Sequence, residues 1–410
     1  MSNAHEVDST PGGSRPSGAP ALSAVYAITA AGLMANTLII ASLPEIGEYF
    51  DVGAAGAGLV VAAGALPGVF VAPIIGALAD RWGRRAVVVP CLVVFGVMGG
   101  LAGLAPTFPL LLGARLLQGL VSAGLVSLAV VIIGDHWGGL ERARLIGHNA
   151  AVLTISVAIY PALGGALAAL GGTWRAAFIP YPFAVLVAWY VAVQLPKGRQ
   201  VEAQTGSLLE LGRAALGQLA RPVVASSVLL GFVAFVLIFG LFVTTMPLLL
   251  DQRFALGVFP RGLVMAVSAI GATITALNLR RLRSRWSGDA LIAVSFGIFV
   301  MGFAVIAAAP ILPILILGSF TYGLAEGAAI PTIQDRVVGA SADEVRGAVV
   351  ALFVSGARAG QVVGPLLATG IWDRWPGGTP FAIGATLAAV VAVVLVLGRS
   401  RTSVTPDPAL

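Results

Sequence analysis

A carboxylate and two guanidinium groups fall inside long apolar stretches of this sequence, where a charge is costly. Glu326 stands near the middle of one stretch, and Arg358 stands midway along the next, with Gln361 one helical turn further on. A lone ionised carboxylate is strongly disfavoured in such surroundings, so Glu326 must be protonated, paired or in contact with water. We therefore expect Glu326 to exchange a proton and Arg358 to be its electrostatic partner. A static buried pair that only joins two helices is the alternative.

The elements that must position these residues are apolar runs of about 20 residues, the length that spans a bilayer core about 30 Å thick. A soluble bundle would need polar faces with a period of 3.6 residues, and these runs have none. The sequence therefore predicts an all-α membrane protein with twelve transmembrane helices. The predicted spans are 22–43, 57–78, 86–105, 108–133, 146–170, 175–195, 222–249, 260–279, 289–308, 312–334, 346–371 and 379–398.

The basic residues predict the orientation of the chain. If the N-terminus is cytoplasmic, most of the 24 Lys and Arg residues fall in segments on the inner side, including the clusters over 81–85 and 280–285. Because Lys and Arg concentrate in cytoplasmic loops, both termini are expected inside the cell. These residues explain the basic net charge as a topology signal, so no nucleic-acid partner is expected.

The spans divide into two groups of six. We expect a disordered cytoplasmic tail over 1–20, a six-helix bundle over 21–195, a cytoplasmic linker with a short amphipathic helix over 196–221, a second bundle over 222–398, and a tail over 399–410. Spans 4 and 10 both end in an acid, Asp135 and Asp335. Spans 5 and 11 both carry a late proline, Pro161 and Pro365. This weak repeat favours two pseudo-symmetric bundles, the plan of alternating-access transporters.

The composition excludes several classes of protein. Apolar residues make up 58% of the 410 residues and charged residues only 10%, whereas soluble domains carry about 25% charge, which excludes a soluble enzyme and a disordered chain. Cys91 is the single cysteine, so no intrachain disulfide and no cysteine-based metal site can form. The sequence has no phosphate-binding glycine loop, nucleophile elbow or metal-ligand spacing. We expect no enzymatic activity, no metal and no cofactor.

The loop between spans 2 and 3 reads GALADRWGRR over residues 76–85, with Gly83 suited to a tight turn. This segment resembles the signature loop of the major facilitator superfamily, and the predicted topology resembles that family over the whole chain. The resemblance implies that Gly76, Asp80, Arg81, Gly83 and Arg84 form a conformational latch. In that latch, the charges of Asp80 and Arg84 join the acid that ends span 4, Asp135, and hold the two halves of the protein in the outward-facing state. The alternative is that the arginines only set topology.

Two further segments resemble motifs of the same family. Arg115 with Gln118 in span 4 is similar to its second motif, which implies a role for Arg115 in proton coupling; snorkelling to the membrane surface is the alternative. Span 5 is similar to the end of the antiporter motif, with the residues Pro161, Gly164 and Gly165, although Tyr160 replaces a glycine. That partial match implies export, and ordinary packing of small residues is the alternative.

The family's arrangement implies a cavity lined by spans 1, 4, 7 and 10. The candidates for contact with a substrate are Asn36, Gln118, Tyr160, Tyr322 and Gln361. Mostly apolar walls suit hydrophobic or amphipathic solutes. The chain looks most like bacterial twelve-span drug–proton antiporters, which implies a monomer in the plasma (inner) membrane that exports small molecules against protons. Uptake of a small metabolite and a sensor without transport remain open.

Overall fold

The computed structural model describes residues 19–196, 217–339 and 346–402, and its regular structure in these ranges is helical. Twelve helical stretches in the described ranges are long and apolar enough to cross a membrane, which confirms the predicted number. They are Leu22–Tyr49, Gly53–Val71, Arg84–Leu104, Phe108–His136, Gly139–Gly171, Trp174–Gln194, Pro222–Phe254, Val258–Arg285, Gly288–Ala308, Leu312–Gly339, Val349–Arg374 and Thr379–Leu397, called spans 1 to 12 below.

Three of the predicted segments fall wholly or largely outside the described residues. They are the tail over 1–20, the linker over 196–221 with its amphipathic helix, and the tail over 399–410.

The two groups of six spans meet along two pairs of helices. Span 5 packs along span 8, and the first part of span 2 packs along span 11. Since successive spans run in opposite directions, the loops collect at two ends of the bundle. We call them the Asp80 end, where spans 2, 4, 8 and 10 finish, and the Glu45 end, where spans 1, 5, 7 and 11 finish.

Spans 1 and 7, which begin the two groups, are both interrupted. In span 1 the helix Leu22–Thr37 gives way to a tight turn over Ile40–Ser42 before the helix Leu43–Tyr49. In span 7 a wide π-helical segment, Leu237–Thr245, separates Pro222–Val236 from Met246–Phe254. Interrupted helices at corresponding places in two halves of a transporter mark binding sites, and π-helical turns often lie at functional sites.

Small residues let the helices approach each other closely. Gly323 and Gly327 of span 10 lie against the backbone of Ser268 and Ala272 in span 8, so close that a Cβ on either glycine would overlap a carbonyl oxygen. Helices in a bilayer associate through such packing because lipid tails are as apolar as the side chains. The second group of spans is therefore held together by backbone contacts as well as by side chains.

We expect Gly323→Val to destabilise the protein. The added side chain must displace span 8, and overpacking of this kind costs about 1–3 kcal/mol. Gly297→Val in span 9 is the matched control, because a Cβ at Gly297 meets no atom within 4 Å. Thermal unfolding in detergent should show a lower midpoint for Gly323→Val alone. Equal midpoints for the two variants would contradict the close approach of spans 8 and 10.

Candidate functional site

The first group of spans holds a fully buried cation. Arg115 of span 4 has no exposed surface; its Nη1 donates to Gln118 Oε1 and its Nη2 to Asn36 Oδ1, both at 2.5 Å. Both acceptors are neutral amides, and the Nε of Arg115 has no hydrogen-bond partner. Complete burial excludes snorkelling to the surface. The structure thus joins three residues that sequence analysis had singled out separately.

The surroundings of Arg115 are shaped to receive it. A Cβ on Gly64 of span 2 would lie 2.5 Å from Arg115 Nη2 and 2.6 Å from Asn36 Oδ1, so a larger residue there would displace the pair. Tyr181 of span 6 donates its hydroxyl to the carbonyl of Met34, at 2.8 Å. Asn36 itself stands one residue before the end of the first helix in span 1. Four spans therefore converge on this buried charge.

Glu326 lies in span 10, one helical turn after Tyr322, and its side chain is partly buried. Tyr322 is only 1% exposed, and its ring stacks on Phe242 of span 7 with 4.1 Å between centroids. Phe299 and Phe303 of span 9 flank the same ring, each at 5.6 Å. In this conformation Tyr322 thus belongs to an aromatic cluster and not to a cavity wall.

Arg358 is directed toward the other group of spans. Its Nη2 donates to the carbonyl of Ala123 in span 4, at 3.1 Å, and its side chain passes over Gly68 of span 2, where any Cβ would collide with it. The expected ion pair with Glu326 does not form among the described residues, because the guanidinium crosses the interface between the groups. Gln361, partly buried, follows one turn later in the same helix.

The predicted pairing of Asp80, Arg84 and Asp135 is present at the Asp80 end, and it joins residues of the first group of spans only. Arg84 Nη1 lies 2.5 Å from Asp80 Oδ1, and Arg84 Nε lies 2.9 Å from Asp135 Oδ2. Gly83 has a φ of 92°, a backbone conformation that favours glycine, and it turns the chain between spans 2 and 3. Arg81 is exposed in the last turn of the helix Gly68–Trp82, which continues span 2 to the Asp80 end. Gly76 leaves open space, since a Cβ there would meet no atom within 4 Å.

The second group of spans carries a similar arrangement that the sequence analysis missed. Arg283 Nη2 lies 2.5 Å from Asp335 Oδ2, and Arg336 Nε lies 2.9 Å from Asp289 Oδ1. Asp335 lies near the end of span 10 as Asp135 lies near the end of span 4. The partner of Asp135 is Arg84, which begins span 3, and the partner of Asp335 is Arg283, near the end of span 8. The basic cluster over 280–285 could have indicated these ion pairs, but the sequence analysis had explained the cluster as a signal for membrane topology.

The antiporter-like residues lie at the contact between spans 5 and 8. Pro161 presents its carbonyl to Gly262 of span 8, and Gly165 lies against the carbonyl of Val258. Gly164 lies against the carbonyl of Leu38 in span 1. The hydroxyl of Tyr160 donates to the carbonyl of Ala30 in span 1, at 2.9 Å. These residues therefore hold span 5 against span 1 in its own group and against span 8 in the other.

A charged cluster at the Glu45 end was also missed. Arg261 at the start of span 8 is 1% exposed and pairs with Glu45 of span 1. Its Nη1 lies 3.5 Å from Asp251 Oδ1 at the end of span 7. Glu45 and Arg261 are 216 positions apart in the sequence, so only the packing of spans brings them together.

Known proteins resemble this chain over most of its length. The family profile described as Major Facilitator Superfamily matches residues 25–337 and 262–409. A curated relative, the Bacillibactin exporter of Bacillus subtilis (strain 168), is 30% identical over 155 residues, which are 36% of this chain and 38% of that protein. Multidrug resistance protein 1 of the same strain is 25% identical over 268 residues, 62% of this chain and 64% of that protein. Each match thus spans less than two thirds of the relative.

A solved structure has the same fold. The crystal structure of the nucleoside transporter NupG superposes with a TM-score of 0.74 at 16% identity, covering 92% of this chain and 97% of that chain. At this identity the similarity concerns the architecture of the twelve helices alone.

We expect Asn36→Leu to lower stability more than Gln361→Leu does. Removing the amide oxygen of Asn36 leaves Arg115 with one side-chain acceptor, and a hydrogen bond to a charged group is worth about 1.5–3 kcal/mol. Gln361 is an amide at a comparable position in span 11 and contributes no acceptor to Arg115. Thermal unfolding of both variants in detergent measures the difference. A larger effect at Gln361 would contradict the assignment of Asn36 as a partner of Arg115.

Proposed function

This chain belongs to the major facilitator superfamily of membrane transporters, and from that premise we propose that it exports hydrophobic or amphipathic small molecules in exchange for protons. The single observation that carries the proposal is Glu326, a carboxylate at mid-depth of span 10 that forms no ion pair among the described residues. An acid in that position is a natural carrier for a proton, because its charge is too costly to remain uncompensated.

Transport would proceed by rocking of the two groups of spans about the interface between them. Among the described residues, the side-chain bonds across the interface are Glu45 with Arg261 and Arg358 with the carbonyl of Ala123. The ion pairs at the Asp80 end instead stay within their own groups. The ion pair of Glu45 with Arg261 lies at the Glu45 end and the Arg358 contact lies near mid-depth, which supports a conformation closed at the Glu45 end.

We assign the Asp80 end to the cytoplasm. Exposed arginines at the end of the helix Gly68–Trp82 and at the end of span 8 gather there, and basic residues concentrate on the cytoplasmic side of membrane proteins. With this orientation both termini are cytoplasmic and the Glu45 end faces outward. The described conformation is then closed to the outside. We propose that the protein acts as a monomer in the plasma membrane, since each polypeptide carries both groups of spans.

Export would follow from competition between proton and substrate. With the cytoplasmic side open, a substrate displaces the proton from Glu326; with the outside open, a proton returns and the substrate leaves. Arg115 would bias the same step electrostatically, because its charge has only neutral acceptors. The names of the relatives, Bacillibactin exporter and Multidrug resistance protein 1, support this direction.

We expect a pH gradient to drive export of an amphipathic dye from proteoliposomes, and Glu326→Gln to abolish the dependence on that gradient. The amide cannot release a proton at ordinary pH, so one half of the exchange is lost. Glu141→Gln, which neutralises an exposed carboxylate at the start of span 5, is the control and should keep the coupling. Gradient-driven accumulation with the opposite sign would show uptake. Full coupling in folded Glu326→Gln would remove the role of this residue.

The ion pairs of Arg84 with Asp80 and Asp135 lead to a second prediction about the transport rate. Asp80→Asn keeps the size of the side chain but removes the charge that Arg84 contacts at 2.5 Å, so the inner ends of spans 2, 3 and 4 should be less well fixed. We expect the transport rate to fall by about tenfold, which corresponds to about 1.4 kcal/mol. Dye flux at saturating substrate measures it, with Glu141→Gln again as control. An unchanged rate would assign the basic loop to topology alone.

A further inference from the structure

The charges at the Glu45 end do not balance, although they are tightly packed. Arg261 is the one cation in contact with Glu45 and Asp251, so the cluster formally holds one positive and two negative charges. The side chain of Arg261 is 1% exposed, and its Nε and Nη1 lack hydrogen-bond partners. The Oε2 of Glu45 is likewise a buried atom without a partner. The cluster is therefore held by charge attraction across the interface, while several of its polar atoms lack hydrogen-bond partners.

The two carboxylates lie on opposite sides of the interface between the groups of spans. Glu45 ends span 1 in the first group, whereas Asp251 and Arg261 both belong to the second, at the end of span 7 and the start of span 8. When the two groups separate at this end, Arg261 must leave Glu45 and can keep Asp251. Glu45 then loses its cation, so opening at this end breaks an ion pair and leaves an unpaired carboxylate.

A cavity of about 670 Å³ gives solvent access to this cluster. It lies between the groups of spans and is lined by residues of both, including the acids Glu48, Asp51, Asp251 and Asp373. Its lining contains no lysine or arginine. An acidic vestibule attracts cations, hydronium among them, and raises their local concentration. Asp251 lines the vestibule and contacts Arg261, and the side chain of Glu45 is itself 34% exposed, so protons can reach the ion pair.

Two other arginines near this end, Arg253 and Arg175, are bonded elsewhere. Arg253 donates to the carbonyl of Ala307, at 3.2 Å. Arg175 donates to the carbonyls of Gly103 and Ala105 and to the hydroxyl of Tyr49. Neither arginine bonds to Glu45 or Asp251, so Arg261 alone compensates these two carboxylates among the described residues.

We propose that Glu45 is a proton-binding site that opens the Glu45 end of the transporter. A proton and Arg261 compete for the same carboxylate. The proton passes from hydronium in the vestibule to Glu45 and forms an O–H bond, and Arg261 is released to Asp251 in its own group of spans. The remaining contacts across the interface there, such as Gly262 against Pro161, are close backbone packing without charge.

The direction of the effect follows from this competition. Protonated Glu45 no longer attracts Arg261, so proton binding favours the open state, and opening in turn favours proton binding. Acidity on the outside would therefore open the transporter to the outside. The inference rests on the proposed function, because only in an exporter driven by protons does this gate receive protons from the side toward which substrate leaves.

The test is a distance measurement across the Glu45 end. Cys91→Ser removes the native thiol, and spin labels are placed at Leu104 and Ile311, which are 74% and 54% exposed near this end in opposite groups of spans. We expect acidification from about pH 8 to about pH 4, a range that includes the usual Glu value, to increase the long-distance population severalfold. Glu45→Gln mimics the protonated state, so it should show that population at both pH values.

The matched control is Glu48→Gln, which removes the same charge from the vestibule three residues away but leaves the pair with Arg261 intact. It should keep the response to pH. Should Glu45→Gln fail to fold, Glu45→Asp and Arg261→Gln replace it: the first should retain the response, and the second should be open throughout. A pH response in Glu45→Gln equal to that of the wild type would overturn the proposal.

Failure of this inference and failure of the proposed function give different results. If Glu45→Gln leaves the distances unchanged while the flux remains proton-driven, the gate proposal is wrong and the export proposal stands. If acid opens the wild type and Glu45→Gln is open at both pH values, but no substrate flux follows a pH gradient, the gate is supported and proton-coupled export is wrong.

Discussion

The cost of an uncompensated charge in hydrocarbon determines how this protein is built. Most charges are confined to the two ends of the bundle, and the two arginines at depth are held by specific partners. Arg115 is fully buried and bonded to two neutral amides, and Arg358 donates to a carbonyl of the other group of spans. Because each such contact joins particular helices, a small number of charges fixes which spans are neighbours. The same contacts determine which parts of the molecule can separate.

Close packing of helix backbones is the second kind of contact that holds the spans together. Within the second group, glycines of span 10 lie directly on span 8, and across the interface Gly262 and Gly165 bring spans 5 and 8 together at the Glu45 end. Helices that pack in this way can move together as rigid bodies, because no long side chains have to be released when they move. The interrupted segments of spans 1 and 7 stand beside Arg115 and the aromatic cluster of Tyr322. Rigid groups of helices with local breaks near their polar centres suit alternating access.

The sequence predicted those features that depend on local composition. The twelve spans follow from the length of apolar runs, and the pairing of Asp80 with Arg84 joins residues only four apart across the turn at Gly83. Pairings over long distances could not be predicted in this way. Arg358 was expected beside Glu326 but crosses to span 4, because Gly68 leaves space for it there. The pairing of Arg261 with Glu45, 216 positions away in the sequence, depends on how the two groups of spans pack.

The central claim is that the two ends of the molecule open in alternation, and distances across both ends, measured under the same conditions, test it most directly. One label pair at Leu104 and Ile311 reports the Glu45 end, and a second pair at the exposed residues Leu140 and Trp286 reports the Asp80 end. The account predicts that any change of pH or substrate that lengthens one distance shortens the other. Distances that lengthen together, or an Asp80 end that never changes, would contradict it.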